Sequence, residues 1–144
     1  MQVALINGPN LNLVGQREPQ VYGSQSFEEF FPQLQKAFPS LGLVYYQSNH
    51  EGELVDALQR LGASAQAILL NPGAFTHTSI ALADAVAGIE TPVYEVHLSN
   101  VFARQDFRKH SYISPHAQAV ICGWGLAGYR LAIEGFLNLK EFKQ

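Results

Sequence analysis

Two ionisable side chains, Glu95 and His97, have a spacing that suits acid–base chemistry. They lie two residues apart in an apolar run, residues 92–97, that has the character of a strand. Because side chains two apart on a strand share a face, the carboxylate can hold one imidazole nitrogen and leave the other free for proton transfer. A strand buried on both faces does not carry charged groups without partners. The pair is therefore either an imidazole held by a carboxylate for acid–base chemistry or a satisfied structural pair.

A long polar segment follows the first apolar run of the chain. Residues 8–25 (GPNLNLVGQREPQVYGSQ) are rich in Gly and Pro. This segment is far longer than the roughly 2–6 residues of an ordinary strand-to-helix connection, and such segments are usually either functional lids or disordered. It carries Arg17 and Tyr22, a cation and a phenol. Each of them taken singly also fits a solvated loop residue.

Polar side chains follow three of the apolar runs. They are Asn7, Asn10 and Asn12 after the first run, Asn71, Thr76 and His77 after the third, and Ser99, Asn100 and Arg108 after the fourth. In open α/β sheets, ligands bind beyond the carboxyl ends of the strands. The sequence therefore predicts a small-molecule site at one edge of the sheet, although residues 7–10 (NGPN) alone also fit a plain turn. We interpret the remaining candidates as surface or packing residues: Ser24, His50, His110, Tyr112 and His116.

Five short apolar runs alternate with longer amphipathic stretches. The predicted strands are residues 3–6, 43–46, 67–70, 92–97 and 119–122, and the predicted helices are residues 26–38, 53–61, 78–87 and 125–137. This alternation predicts one α/β layered domain with a parallel sheet. Continuous apolar runs of this length favour strands buried on both faces.

The first predicted helix contains a conflict between two signals. Ser26 and Glu29 have the spacing of a capping box, which predicts a helix that begins there. Pro32 lies inside the same stretch and removes a backbone donor. We therefore expect a helix that is either kinked at Pro32 or begins later than the capping box indicates.

Composition excludes several classes of function. The net charge of −3 argues against a nucleic-acid binder, which usually carries a basic stripe. No apolar run reaches about 18 residues, and the N-terminus has no signal-like pattern, so we expect a cytoplasmic protein without membrane partners. The single cysteine, Cys122, rules out an internal disulfide and a cysteine-based zinc site. Only 15% of the residues are charged, against about 25% in a typical domain, which indicates surface covered in an oligomer.

Other catalytic motifs are absent or weak. Residues 123–128 (GWGLAG) match G-x-G-x-x-G in its lone form, which we interpret as a tight strand-to-helix turn. The chain has neither a P-loop lysine nor a G-x-S-x-G elbow, and none of its five histidines pair at i, i+4 as metal ligands on a helix would. A receiver-type signalling domain would need an acidic cluster where this chain has asparagines.

Three long motifs together resemble one known family. They are NGPNLNL at residues 7–13 with G15, REP at 17–19 and YG at 22–23; NPGAFTHTS at 71–79; and EVHLSN at 95–100, followed by AR at 103–104, FR at 107–108 and HSY at 110–112. In this order, and over most of the chain, they are similar to the signatures of the type II dehydroquinases. Phe102 departs from the family, whose members usually carry His there, and it concerns local packing only.

The resemblance implies a flavodoxin-like, three-layer α/β fold with a five-stranded parallel sheet. It implies a single catalytic domain over residues 1–144, with a lid loop at about residues 15–24. The implied reaction is the reversible dehydration of 3-dehydroquinate to 3-dehydroshikimate in the shikimate or quinate pathway. The family uses no cofactor, metal or Schiff base and is typically a homododecamer, a tetramer of trimers.

The resemblance also assigns roles to individual residues. Tyr22, as tyrosinate, would take the proton α to the ketone, and Arg17 would stabilise that anion. Asn10 would hold a water at the enolate oxygen, and His97, oriented by Glu95, would protonate the departing hydroxyl. The expected substrate-binding groups are the side chains of Asn71, His77 and Arg108, the backbone N–H groups of Leu98 and Ser99, and Asp84 reaching the neighbouring subunit's site.

Two other functions remain compatible with this fold. The first is a non-catalytic small-molecule-binding module, which loss of Arg17, Tyr22 or His97 would favour. The second is a flavin-binding electron carrier, against which a colourless purified protein would count.

Overall fold

The computed structural model describes residues 1–142 and places the five predicted strands in one parallel sheet. The strands are β1 (Gln2–Asn7), β2 (Gly42–Gln47), β3 (Ala67–Asn71), β4 (Val93–His97) and β5 (Ala119–Cys122). Their order in the sheet is β2-β1-β3-β4-β5, with every neighbouring pair parallel. This is the flavodoxin-like order, and the chain changes direction across the sheet between β1 and β3. Asn7 pairs with Asn71 at that point.

Helices cover both faces of the sheet. They are α1 (Pro19–Tyr22), α2 (Phe27–Ala37), α3 (Glu51–Gly62), α4 (Ile80–Ala87) and α5 (Ala127–Phe142). One core joins α2 and α5 to the sheet face that carries Val3 and Leu5, and a second joins α3 and α4 to the face that carries Ala4 and Ile6. The two cores confirm the three-layer prediction, because alternate residues of β1 enter opposite cores. Within residues 1–142, no helix is both long and apolar enough to cross a bilayer.

Burial differs between the central and the edge strands. The central strands β3 and β4 are buried throughout, and β1 is buried from Val3 onward. The expectation of burial on both faces is wrong for β2 and β5, which are half-exposed in large part. Both are edge strands, so one side of each lacks a neighbouring strand.

Helix α2 begins directly at its capping box. The Ser26 hydroxyl accepts from the Glu29 N–H at 3.2 Å, and the Glu29 carboxylate accepts from the Ser26 N–H at 3.3 Å. The alternative of a later start is therefore wrong, and Pro32 lies inside the helix. Pro32 is exposed, whereas Phe27 and Leu34 are buried in the core. Packing of the apolar face thus outweighs the missing hydrogen bond.

We expect the substitution Pro32→Ala to stabilise the protein. The new N–H can donate to the Glu28 carbonyl, and the clash of the proline ring with that carbonyl is removed. The gain should be about 1 to 3 kcal/mol, seen as a higher midpoint in thermal unfolding followed by circular dichroism. Gln33→Ala, at the exposed neighbouring position, should leave the midpoint nearly unchanged. An unchanged or lower midpoint for Pro32→Ala would contradict the prediction.

Candidate active site

A cleft of about 300 Å³ lies at the carboxyl ends of the central strands. The family resemblance gave eleven residues a catalytic or binding role, and nine of them line this cleft: Asn10, Arg17, Tyr22, Asn71, His77, His97, Leu98, Ser99 and Arg108. They come from three separate parts of the chain, which the parallel sheet brings to one edge.

The other two predicted residues lie outside the cleft. Glu95 is fully buried behind His97. Asp84 is exposed on α4, where it lines a separate depression with Gln59 of α3 and Ile89. Within one chain Asp84 therefore does not join the cleft, and its role toward a neighbouring subunit stays a prediction.

Glu95 and His97 form the predicted couple on β4. Oε1 of Glu95 lies 2.7 Å from Nε2 of His97, which leaves Nδ1 of the imidazole free of the carboxylate. Burial alone would raise the pKa of Glu95, but hydrogen bonds from His97, Ser114 and Thr76 outweigh it and hold the pKa below its ordinary value. The couple thus combines an ionised buried carboxylate with an imidazole at the cleft wall.

His77 stands beside His97 as a neutral imidazole. Its Nδ1 lies 2.7 Å from the carbonyl oxygen of His110, and a carbonyl only accepts, so Nδ1 carries the proton. Burial lowers the pKa of His77, the bond to His110 opposes this, and the nearby His97 and Arg108 lower the pKa further. Nε2 is then an acceptor for a hydroxyl donor. Sequence analysis assigned His110 no role, because the group that matters is its backbone carbonyl.

A series of buried hydrogen bonds fixes the side chain of Asn71. Its Oδ1 accepts from the Gly73 N–H at 3.1 Å, and its Nδ2 donates to the Tyr129 hydroxyl at 3.2 Å. Tyr129 in turn donates to Oδ1 of Asn7 at 2.6 Å. Burial raises the pKa of Tyr129, so its phenol stays protonated as a donor. Sequence analysis missed Tyr129, whose position on α5 resembles that of any core aromatic.

The polar segment after β1 is anchored at its base. A Cβ at Gly8 would lie 2.5 Å from the Pro72 carbonyl oxygen, so only glycine permits this approach of the two loops. Asn10 adopts a left-handed φ of 69°, and its N–H donates to the Asn49 side chain at 2.9 Å. Beyond the anchor the chain forms α1, which ends at the half-buried Tyr22.

Arg104 is a cleft residue to which sequence analysis assigned no role. Its guanidinium carbon lies 5.6 Å from the centre of the Tyr22 ring, and its Nη1 donates to the Ser99 hydroxyl at 3.2 Å. The sequence feature that could have identified Arg104 is its position in the third motif, in AR at residues 103–104. With Arg17 and Arg108, three guanidinium groups line the cleft of a chain whose net charge is −3. The cleft therefore suits a small anion.

Across the described part of the chain, no group of three or more His, Cys, Asp or Glu residues could hold a metal ion.

Acid should destabilise the protein partly through Glu95. A carboxyl whose folded-state pKa lies below the ordinary 4.5 stabilises the fold above that value, and this contribution is lost as the pH falls through the lower pKa. The variant Glu95→Gln should therefore show a shallower fall of the thermal midpoint below about pH 4.5, measured by calorimetry. Glu90→Gln, at an exposed turn, should follow the wild-type curve. Equal acid slopes for Glu95→Gln and the wild type would refute this assignment.

Comparisons with known proteins agree on one family. Residues 1–137 match the family described as dehydroquinase class II. The 3-dehydroquinate dehydratase of Prochlorococcus marinus (strain NATL1A) is 49% identical over 140 residues, which cover 96% of this chain and 97% of that protein. The catabolic 3-dehydroquinase of Verticillium alfalfae is 50% identical over 135 residues, with 92% and 90% covered.

Solved structures show the same similarity. The type II dehydroquinase from Butyrivibrio crossotus superposes with a TM-score of 0.91 at 40% identity, covering 96% of this chain and 97% of that one. The enzyme of the same type from Propionibacterium acnes gives a TM-score of 0.90 at 35% identity, with 94% of each chain covered. Sequence and fold agree over nearly the whole length, and the chain belongs to the class II dehydroquinases.

Proposed function

We propose that this chain is a 3-dehydroquinate dehydratase, a hydro-lyase that reversibly converts 3-dehydroquinate to 3-dehydroshikimate through an enolate. The observation that carries the proposal is the convergence of a phenol, a carboxylate-held imidazole and three guanidinium groups on one cleft. The relatives named 3-dehydroquinate dehydratase and catabolic 3-dehydroquinase support the choice of substrate. The substrate is a small carboxylate with several hydroxyls, which suits a cationic cleft lined by polar groups.

The first step needs a base and a stabiliser for the enolate. Tyr22, as tyrosinate, takes the proton at C2, and the electron pair of the C–H bond moves into the enolate. A phenol is a poor base near neutral pH unless its anion is stabilised. Arg104 lies over the Tyr22 ring, and Arg17 lines the same cleft, so both can supply positive charge. Asn10 holds a water at the enolate oxygen.

The second step needs an acid on the leaving hydroxyl. The enolate re-forms the ketone, its electrons form the C1–C2 double bond, and the C1–O bond breaks. His97 donates a proton from Nδ1 to the departing oxygen, which leaves as water. Glu95 stabilises the imidazolium before this transfer and keeps the ring oriented afterwards.

Substrate binding uses the remaining groups of the cleft. The backbone N–H groups of Leu98 and Ser99 bind the carboxylate, at the end of β4. Asn71 and Arg108 hold hydroxyls, and the bare Nε2 of His77 accepts from another. Asn71 has one amide hydrogen left for this, because the other is donated to the Tyr129 hydroxyl.

We further propose one catalytic unit over residues 1–144, with residues 15–24 closing as a lid. The exposure of residues 16–21, which include most of α1, supports this segment as the part that closes. The assembly that we propose is a homododecamer, and the location that we propose is the cytoplasm. The low charged fraction and exposed apolar side chains such as Ile80 and Trp124 support a large buried surface between copies. The exposure of Asp84 on α4 supports its proposed contact with the cleft of a neighbouring subunit.

The non-catalytic binding module is disfavoured by the contents of the cleft. Arg17, Tyr22 and His97, whose loss would favour it, all line the cleft. A binding module needs neither a tyrosine base nor a buried carboxylate behind a histidine.

The purified protein should produce the conjugated enone of 3-dehydroshikimate from 3-dehydroquinate, followed by ultraviolet absorption. Tyr22→Phe should lower kcat by about 10² to 10⁴, because the ring remains and the proton acceptor is lost. Binding of the product, measured by calorimetry, should stay close to that of the wild type. The control Tyr46→Phe alters a phenol on β2 outside the cleft and should keep full turnover. A Tyr22→Phe variant with more than about a tenth of wild-type kcat would require another base.

Variants of His97 and Arg17 should be impaired at different steps of the reaction. His97→Ala retains the base, so it should still exchange the C2 proton of 3-dehydroquinate with solvent deuterium while it fails to release water. Arg17→Ala loses charge that stabilises tyrosinate, so exchange and turnover should fall together. For each variant, NMR follows deuterium incorporation at C2 and the conversion of 3-dehydroquinate.

The controls are His116→Ala and Arg60→Ala, which change an exposed histidine and an exposed arginine outside the cleft. Both should behave as the wild type. If His97→Ala loses exchange as completely as Arg17→Ala does, His97 also acts in the first step, and the division of roles is wrong.

A further inference from the structure

Three hydroxyl groups surround the Glu95 carboxylate behind the acid. Oγ1 of Thr76 lies 2.5 Å and Oγ of Ser111 lies 3.0 Å from Oε1, and the Ser114 hydroxyl donates to Oε2. Thr76 comes from the turn after β3, whereas the two serines come from the segment before β5. We refer to Thr76, Ser111 and Ser114 as the hydroxyl cradle. The proposed reaction gives none of them a chemical step, and none of them lines the cleft.

Hydrogen-bond geometry determines the direction in which Ser111 donates. Its oxygen accepts from the N–H groups of Ile113 at 3.1 Å and Ser114 at 3.0 Å, which occupies both of its lone pairs. Its single hydrogen must therefore be donated, and the two acceptors in range are Oε1 of Glu95 and Oγ1 of Thr76, the latter at 2.6 Å. The hydrogen of Thr76 is then free to point at Oε1 of Glu95.

The Glu95 carboxylate consequently receives hydrogen bonds at both of its oxygens, which favours its ionised form. Oε1 accepts from Thr76, the single hydrogen of Ser111 is donated to the same Oε1 or to Oγ1 of Thr76, and Oε2 accepts from Ser114. These donors favour the ionised carboxylate, and Nε2 of His97, 2.7 Å from Oε1, then serves as a further donor. The hydrogen between Glu95 and His97 therefore belongs to Nε2, and Nδ1 is the nitrogen that faces the cleft.

We infer that the hydroxyl cradle positions the acid: it keeps Glu95 ionised and so fixes His97 with its proton on Nε2 and with Nδ1 toward the leaving hydroxyl. This inference rests on the proposed dehydratase function for the role of His97. It makes Thr76, Ser111 and Ser114 positioning residues, which act on the substrate only through Glu95 and His97. Removal of their hydroxyls should then impair the second step of the reaction and spare the first.

A backbone contact makes the test at Thr76 feasible. The Tyr112 N–H donates to the Thr76 carbonyl at 2.8 Å, so the two cradle segments stay joined when the Thr76 hydroxyl is removed. Ser111 is less informative, because its hydroxyl oxygen also caps two backbone N–H groups. Thr76→Val keeps the branched shape and removes the hydroxyl, whereas Thr76→Ser keeps the hydroxyl.

A matched control comes from the opposite end of the sheet. The Thr91 hydroxyl donates to the carbonyls of Gly62 at 2.6 Å and Ala65 at 3.3 Å, before the amino ends of β3 and β4, whereas the cleft lies at the carboxyl ends of these strands. Thr91→Val therefore removes a comparable structural hydroxyl without touching Glu95. It reports what a general loss of stability does to the two steps.

The first arm of the experiment measures both steps for each variant. Thr76→Val should dehydrate 3-dehydroquinate at least about tenfold more slowly than the wild type, while C2 deuterium exchange stays within about twofold. Thr76→Ser and Thr91→Val should retain both rates. A Thr76→Val variant that dehydrates at the wild-type rate, or one that loses exchange and dehydration together, would overturn the inference.

The second arm needs no turnover and follows the protonation of Glu95 directly. The titratable groups that interact electrostatically with Glu95 are His97 and His77. Infrared spectroscopy detects a neutral buried carboxyl group by its carbonyl stretch. In the double variant Thr76→Val, Ser114→Ala this band should appear at a higher pH than in the wild type, because fewer donors stabilise the anion. Glu95→Gln should abolish it.

The two arms separate failure of the inference from failure of the proposed function. A wild-type protein that does not dehydrate 3-dehydroquinate disproves the function, and the infrared titration alone then decides whether the cradle keeps Glu95 ionised. An active wild type with an unchanged titration in the double variant disproves the cradle and leaves the function intact.

Discussion

A carboxylate with no exposed surface lies at the centre of this site, and its surroundings follow from the cost of burying it. An isolated buried charge is strongly unfavourable unless hydrogen bonds replace the lost water. Glu95 obtains these bonds from His97 and from three hydroxyls. The donors come from β4, from the turn after β3 and from the segment before β5, so three separate parts of the chain must be correctly placed before Glu95 can be buried.

The strand order explains why those parts meet. With β1, β3 and β4 adjacent, the segments that follow them emerge at one edge of the sheet. The paired Asn7 and Asn71 mark the place where the chain reverses its course across the sheet, and Tyr129 joins their side chains from α5. The cleft floor is thus held by buried hydrogen bonds, whereas its outer wall, α1 with Tyr22, rests on a loop with exposed residues on both sides. A rigid floor beneath a less firmly packed wall suits a reaction that must exclude water and then release its product.

Charge is distributed unevenly over the protein in a way that matches an anionic ligand. The chain as a whole is acidic, yet three arginines line the cleft, while its two histidines have partners that fix their ring nitrogens. His77 is held neutral by burial and by its cationic neighbours, whereas His97 faces a carboxylate. Two imidazoles with ring centres 6.5 Å apart therefore serve different purposes, because their partners differ.

Local sequence determined the strands, most helix positions and the Glu95–His97 couple, because burial and backbone pairing impose periodicities that a short stretch records. The long motifs identified nine residues that line the cleft. Only the tertiary structure decided which strands became half-exposed edges, and that Pro32 is tolerated inside α2 because the packed face outweighs it. It alone placed Arg104 on Tyr22, the His110 carbonyl on His77 and Tyr129 beneath Asn71. Those contacts join residues from 33 to 82 positions apart or depend on backbone groups, so no local pattern encodes them.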